Sequence, residues 1–264
     1  MQELKLMTDT NKKTDNNDFT HFGSKSVPIS LKTGLVKEVF TSVANNYDLM
    51  NDLMSIGLHR KWKQELVKKI YFRENLKILD VASGTGDIIN RIAKIAITKK
   101  INLELFSIDL THSMIKIGRD RSINQGFINN INWINADGSA LPIKDQSIDT
   151  YLIAFGIRNI TNQKHALEEA YRVLRPGGQF LCLEFSKVHS TLNKIYDLYS
   201  YKFIPKLGKL IADDSSSYQY LVESIRKFPN QKEFSNSLKK VGFSKVEFKN
   251  LNLGIAAIHS CWKL

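Results

Sequence analysis

The sequence predicts an α/β fold built on a doubly wound, mostly parallel sheet of seven strands. An N-terminal helical arm precedes the sheet, and a helical insertion follows its fifth strand. Three observations carry this expectation. From Leu76 to Phe185, short runs rich in Leu, Ile and Val alternate with segments of helical period. The first run, LKILDVA (76–82), leads straight into a glycine-rich turn, SGTG (83–86). Acidic residues, Asp80, Asp109 and Asp137, fall at or near the ends of the first three runs.

Residues 1 to about 30 are polar and lack apolar periodicity, so they read as a mostly disordered arm. Residues 31–264 read as one domain, with residues 31–72 a helical cover and residues 187–230 a helical lid. Val36, Val39, Phe40 and Val43 recur at i, i+3, i+4 and i+7, the stripe of an amphipathic helix. The segment YDLMNDLMSIGLHRKWK (47–63), dense in Met and Asn, packs over the main domain. Strands are expected at 76–82, 101–109, 131–136, 147–155 and 179–185, with helices at 87–97 and 111–121 between them. Leu167, Ala170, Tyr171 and Leu174 stripe the helix before the fifth strand, and Pro176-Gly177-Gly178 ends it. A helix at 231–241 and two adjacent strands, about 243–250 and 253–262, close the chain as an antiparallel hairpin at the sheet edge.

The turn after the first strand is the informative segment. Gly84 and Gly86 let the backbone bend sharply and approach a ligand closely. Ligands in open α/β sheets sit at the carboxyl ends of strands, where this turn lies. A dinucleotide fingerprint needs a third glycine for close helix–strand packing, and that position is Ile89. Asp80 and Asp87 flank the turn, a poor setting for a pyrophosphate. S-adenosylmethionine carries an ammonium and a sulfonium in place of phosphate, and carboxylates favour both. Asp109, 23 residues beyond Gly86 (109 minus 86), suits both ribose hydroxyls. Asp137 suits the adenine amino group, with the backbone of Gly138 beside it. Taken singly, each Asp also suits a helix cap or a turn.

At these residues the chain resembles the class I methyltransferases, with their Rossmann-like sheet. The segment Y-D-x-M-N-x-x-M-S-x-x-x-H-x-x-W, Tyr47 to Trp62, is similar to the first signature of the ubiquinone/menaquinone biosynthesis C-methyltransferase family. R-V-L-R-P-G-G-Q-F-L-C-L-E-F-S, Arg172 to Ser186, is similar to its second. THFG (20–23), FGIRN (155–159) and the stretch from Tyr196 to Pro229 agree as well, so the resemblance covers the chain from about Thr20. It implies Thr85, Asp109, Asp137 and Gly138 as donor-binding residues, with Asp80, Gly84 and Gly86 in the same site. Three departures stand out. Ser83 takes the place of the family's usual glycine, Ala154 that of a frequent serine near the donor, and Arg175 that of a lysine.

The resemblance further implies methylation of a ring carbon of a polyprenylated benzoquinol or of demethylmenaquinol. That chemistry needs alignment of ring carbon and methyl group, stabilisation of a phenolate, and a base, directly or through water. Arg158, after the fourth strand, suits phenolate stabilisation, because it stays cationic and donates hydrogen bonds. It suits an ordinary salt bridge equally. Asn159 suits an assisting hydrogen bond. Tyr47 and His59 belong to the first signature; His59 has the pKa range of a base, or else fixes the helix covering the site. Tyr218 and Tyr220 suit an apolar wall for the prenyl tail, or plain packing.

The remaining properties bound the partners. The formal net charge is +12, which favours an anionic membrane leaflet. There is no RNA-binding signature, and FGIRN is not the N/D-P-P-Y motif of nucleic-acid methyltransferases, so no nucleic-acid partner is expected. No apolar signal core or run long enough to span a bilayer occurs. Cys182 and Cys261 are the two cysteines, far apart and in apolar runs, which predicts reduced buried thiols and no metal site. The expected setting is the cytoplasm, with visits to the inner membrane surface.

Overall fold

The computed structural model describes residues 19–127, 130–187 and 215–264. Strands β1 (Phe19–Phe22) and β2 (Lys25–Pro28) pair antiparallel around Gly23, whose φ is +59°. The reading of residues 1–30 as one disordered arm is therefore corrected for residues 19–28; residues 1–18 lie outside the described residues. Four-residue strands are too short for alternation to reveal. This pair is held from afar, by Phe22 stacked on Tyr220 (ring centroids 4.3 Å apart) and by Ser24 N–H donating to Glu223 Oε2 at 2.7 Å.

Helices α1 (Ile29–Ser42), α2 (Tyr47–Ser55) and α3 (His59–Val67) follow. The chain turns between α2 and α3 through Ile56 (φ 52°) and Gly57 (φ 73°), both left-handed. The sheet then begins with β3 (Leu76–Val81), α4 (Asp87–Lys99), β4 (Leu103–Asp109), α5 (His112–Asn124), β5 (Ile131–Asn135), β6 (Ile148–Ala154), α6 (Gln163–Val173) and β7 (Leu174–Phe185). Then come α7 (Ser215–Lys227), which belongs to the insertion, α8 (Gln231–Val241), β8 (Ser244–Leu251) and β9 (Ala256–Trp262). Leu174, read as helical, instead opens β7, and the Pro176-Gly177-Gly178 turn lies inside that strand, where its pairing with β6 slips.

The seven strands lie in the order β5-β4-β3-β6-β7-β9-β8. The first five are parallel, and β9 runs antiparallel to both β7 and β8. The expected closing hairpin is present, with β9 inside and β8 on the edge. Strand order reverses between β3 and β6, which places a crevice at their carboxyl ends.

Alternate side chains of the central strands face opposite layers. Ile78, Leu105, Leu152 and Leu181 meet Ile89 and Ile92 of α4 and Trp62 and Leu66 of α3. Leu79, Tyr151, Ile153 and Phe180 meet Leu167 and Ala170 of α6 and Phe234 and Leu238 of α8. Each buried Leu, Ile or Phe contributes about 1.5–3 kcal/mol of transfer free energy, so these short helices are held by their sheet-facing sides. Helix α8 is also fixed at both ends, by the Asn230–Glu233 capping box and by Gly242 at φ 115°. Cys182 and Cys261 are free and buried in adjacent strands, and burial raises both thiols above their ordinary pKa.

Candidate functional site

At the end of β3 the backbone turns through three left-handed residues, Ala82 (φ 52°), Gly84 (φ 55°) and Gly86 (φ 75°). Gly86 has no room for a side chain, because a Cβ there would stand 2.5 Å from the Trp133 ring. Ser83, where a glycine is usual in the family it resembles, is accommodated by Ser107, whose Oγ donates to Ser83 Oγ at 2.7 Å. Its N–H donates to Ile108 O at 3.0 Å, so turn and β4 are bound side to side.

Asp109 ends β4 half-buried. Its Oδ2 accepts from Gly84 N–H and its Oδ1 from Thr111 N–H, both at 2.8 Å. Burial pushes its carboxyl up, against the pull of those two N–H groups. Asp137, just past β5, accepts from the N–H and the Oγ of Ser139 at 2.8 Å each. The next residue, Gly138, is buried, and a Cβ there would meet Val81 Cγ1 at 2.9 Å and Ile160 Cδ1 at 3.0 Å.

These residues line one cleft of about 700 Å³, part of it open to solvent. Gly84, Asp109, Asp137 and Gly138 form one side, with Leu110, Met114 and Ile160 as apolar neighbours. Thr33, Val36, Lys37 and Phe40 of α1 form the other. Tyr47, Phe155, Gly156 and Asn159 join the lining. Burial raises the Tyr47 phenol above its ordinary pKa, with Lys63 pulling the other way.

The other expected residues lie nearby but outside this cleft. Asp80, Thr85 and Ala154 line a smaller pocket behind the turn, which Tyr47 also borders. Asp80 Oδ2 is buried without a hydrogen-bond partner. Thr85 Oγ1 accepts from Arg121 Nη1 at 3.1 Å, and the same nitrogen pairs with Asp48 at 2.8 Å. Arg121 of α5 thus joins the turn to α2.

Two expected catalytic side chains are not brought to the cleft. His59 Nε2 lies 2.8 Å from Asp52 Oδ1, and its N–H donates to Ser55 Oγ, so it joins α3 to α2. Burial, with Lys63 nearby, lowers its pKa. Arg158 is buried on Glu184, with Nη1 2.7 Å from Oε1. The same Nη1 donates to Phe155 O at 2.6 Å, and Asn159 Nδ2 to that oxygen at 3.3 Å. A guanidinium at this depth needs a countercharge, and Glu184 supplies it. Phe155 itself is left-handed (φ 57°), so Arg158 and Asn159 clamp a strained residue at the cleft wall. Of the two roles expected of Arg158, the salt bridge is the one its contacts supply.

Sequence reasoning missed Lys63 and the α1 wall. Lys63 is buried in α3, its Nζ 3.0 Å from Asp87 Oδ2. It is one cation within HRKWK, a run in which nothing distinguishes it. The α1 stripe of Val36 and Phe40 was visible as an apolar face, without a sign of what it faced.

The ubiE/COQ5 methyltransferase family matches the chain over residues 29–263. The ubiquinone/menaquinone biosynthesis C-methyltransferase UbiE of Dinoroseobacter shibae is 49% identical over 98% of this chain and 100% of its own length. That of Roseobacter denitrificans is 48% identical over 95% and 99%. Among solved structures, a putative methyltransferase bound to the Haloferax volcanii Trm112 activator shares the fold at TM-score 0.60 and 14% identity, over 85% of this chain and 97% of that one. A Thermotoga maritima S-adenosylmethionine-dependent methyltransferase does so at TM-score 0.58 and 18% identity, over 87% and 100%.

Proposed function

Because the chain belongs to the ubiE/COQ5 methyltransferase family, we propose that it methylates a ring carbon of a polyprenylated benzoquinol or demethylmenaquinol in quinone biosynthesis. It is a C-methyltransferase that uses S-adenosylmethionine. The observation that carries the site assignment is that Asp109, tied to Gly84, and the Asp137–Gly138 corner line one cleft together.

The cleft fits the donor. Asp109 keeps lone pairs for ribose hydroxyls after accepting its two N–H bonds. Gly138 leaves space that a Cβ would fill, beside apolar Leu110 and Met114 for the adenine. Asp80 and the small pocket with Thr85 receive the amino-acid end, where an orphaned carboxylate oxygen favours an ammonium. When bound, the donor supplies an electrophilic methyl group on a cationic sulfur.

Asn159 and Tyr47 line the acceptor side and orient the quinol ring. Arg158 acts as a positioning residue, holding Phe155 and Asn159 in place. His59 acts likewise, fixing the angle between α2, which carries Tyr47, and α3, which carries Lys63. The described part of the insertion, α7, carries buried Tyr218 and Tyr220 against the core and the hairpin; residues 188–214 lie outside the described residues. A lid for the prenyl tail remains our reading of this insertion.

An apolar acceptor requires contact with a membrane. Among the described residues no helix is long and apolar enough to cross one. Phe19, Ile29 and Leu31 are exposed on the hairpin and the start of α1. With the +12 charge, they suit peripheral contact with an anionic leaflet. Labelled donor incubated with either reduced quinol in detergent tests the reading: label should enter the ring, and fall sharply in Asp109→Ala at sub-saturating donor. Donor binding without label transfer to either quinol would overturn the acceptor assignment. Flotation with anionic liposomes at low salt tests the membrane contact, and its absence would count against that part.

A further inference from the structure

A second cavity, of about 1020 Å³ and in part open to solvent, adjoins the donor cleft and shares Thr161 with it. Where they meet, Thr33 and Thr161 are hydrogen-bonded through their hydroxyls at 2.8 Å. The FGIRN segment divides them: Asn159 lines the donor cleft and Arg158 the second cavity. Tyr220, in the second cavity, donates to Asn159 Oδ1 at 3.1 Å across this wall.

Lys32 of α1 faces the second cavity and is only 7% exposed. The other buried cations are matched. Lys63 pairs with Asp87, Arg158 with Glu184, and Lys263 donates to Tyr171 O at 2.7 Å. The Lys32 ammonium has no hydrogen bond or ion pair to any described residue. The charges around it offer none. His21 of β1 and Lys227 of α7 are basic, and Arg158 is already held by Glu184. Glu223 of α7 is turned to the N–H of Ser24. Helix α5, also packed on α1, contributes uncharged Met114 to the neighbouring cleft. Burial lowers the Lys32 pKa. An ammonium that opens onto a cavity without a protein countercharge is placed to donate a charge-assisted hydrogen bond to an anionic group there.

We propose that Lys32 is a catalytic residue that donates a hydrogen bond to the ionised ring hydroxyl of the acceptor. That oxygen lies in the second cavity, and the neighbouring ring carbon lies at the Asn159–Thr161 wall, toward the donor cleft. This rests on the acceptor assigned above. The hydroxyl gives its proton to solvent, and Lys32 holds the resulting oxyanion. The adjacent ring carbon forms the bond to the methyl group, while the carbon–sulfur bond breaks with its electron pair left on sulfur. The ring proton then passes to water, which restores the aromatic ring.

The test compares wild type with Lys32→Met and Lys32→Arg. In Lys32→Met, kcat at neutral pH should fall about a hundredfold, and the acidic limb of its pH profile should move up by about one unit or more. Donor affinity by calorimetry should stay unchanged, and Lys32→Arg should recover part of the rate. An unchanged rate and limb in folded Lys32→Met would overturn the proposal. A second readout needs no turnover. 4-Nitroguaiacol, whose phenolate is coloured, should bind wild type with its pKa lowered by about one unit or more, and should lose that shift in Lys32→Met. An equal shift in both proteins, or no binding to wild type, would also overturn it. If wild type turns over neither quinol yet shifts the nitrophenol, the acceptor assignment fails and the Lys32 site stands.

Discussion

Asp109 Oδ2 accepts the backbone N–H of Gly84 at 2.8 Å, so the end of β4 holds the turn that follows β3. One carboxylate thus shapes the cleft and keeps acceptor capacity for a ligand. Hydrogen bonds to charged groups contribute about 1.5–3 kcal/mol each. Asp109→Ala should therefore weaken donor binding by about tenfold to a hundredfold in calorimetry. Asp109→Asn, which can still accept from Gly84, should lose less. Equal losses in the two variants would mean that the charge matters and the tie does not.

The Asp80 carboxyl is pushed up to about 8 by burial, which Lys63 offsets in part and Asp109 and Asp87 reinforce. The folded chain then keeps a proton that the unfolded chain has released above about pH 4. Its contribution to stability is present below pH 4 and is lost as pH rises from about 4 to about 8. Urea midpoints should show this slope in wild type, reduced in Asp80→Asn. A cation lodged beside Asp80 favours the ionised form, so donor binding at pH 7 should release a proton. Calorimetry in buffers of different ionisation enthalpy measures that release, and a wild-type enthalpy independent of buffer would refute it.

Arg158 and Glu184 form a buried pair, with side chains 5% and 1% exposed. Breaking such a pair leaves a lone buried charge and costs about 3–5 kcal/mol. Arg158→Met and Glu184→Gln should each lower stability by about that amount in urea unfolding. Arg158→Lys should not rescue, since one ammonium cannot reproduce the fork that reaches Glu184, Phe155 O and Ser224 Oγ. Full stability in Arg158→Lys would show that charge alone suffices.

Two glycines should respond oppositely to alanine. A Cβ at Gly34, in α1, meets nothing within 4 Å, so Gly34→Ala should stabilise by up to about 1 kcal/mol through helix propensity. A Cβ at Gly138 meets Val81 and Ile160 at 3.0 Å or less, so Gly138→Ala should cost about 1–3 kcal/mol and weaken donor binding. Thermal unfolding with and without donor reads both effects.

The parallel sheet was legible because each strand writes its burial into local sequence. Ile78 and Leu79 go to opposite layers, yet both are apolar, and that doubled pattern marks a strand covered on two faces. Asp109 was legible for a related reason, since strand ends and glycine turns fix where ligands meet an open sheet. What stayed hidden depends on contacts between distant segments. Arg158 meets Glu184 across 26 positions, from a strand-end turn to the next strand. His59 meets Asp52 only because Ile56 and Gly57 reverse the chain between them. The β1–β2 hairpin depends on α7, some two hundred residues away, for Tyr220 and Glu223. Lys32 looked like one basic residue among many, because pairing and depth are properties of the folded neighbourhood.

Strand β9, last in chain order, lies between β7 and β8 and not at the rim. A nascent chain that stops short of Ala256 therefore leaves one edge of β7 bare, with those backbone groups of Gln179–Phe185 that would face β9 unpaired. That row is a ready template for pairing with a neighbouring polypeptide. During synthesis the sheet has to wait for its final strand to emerge from the ribosome, and the interval before insertion is when aggregation threatens most.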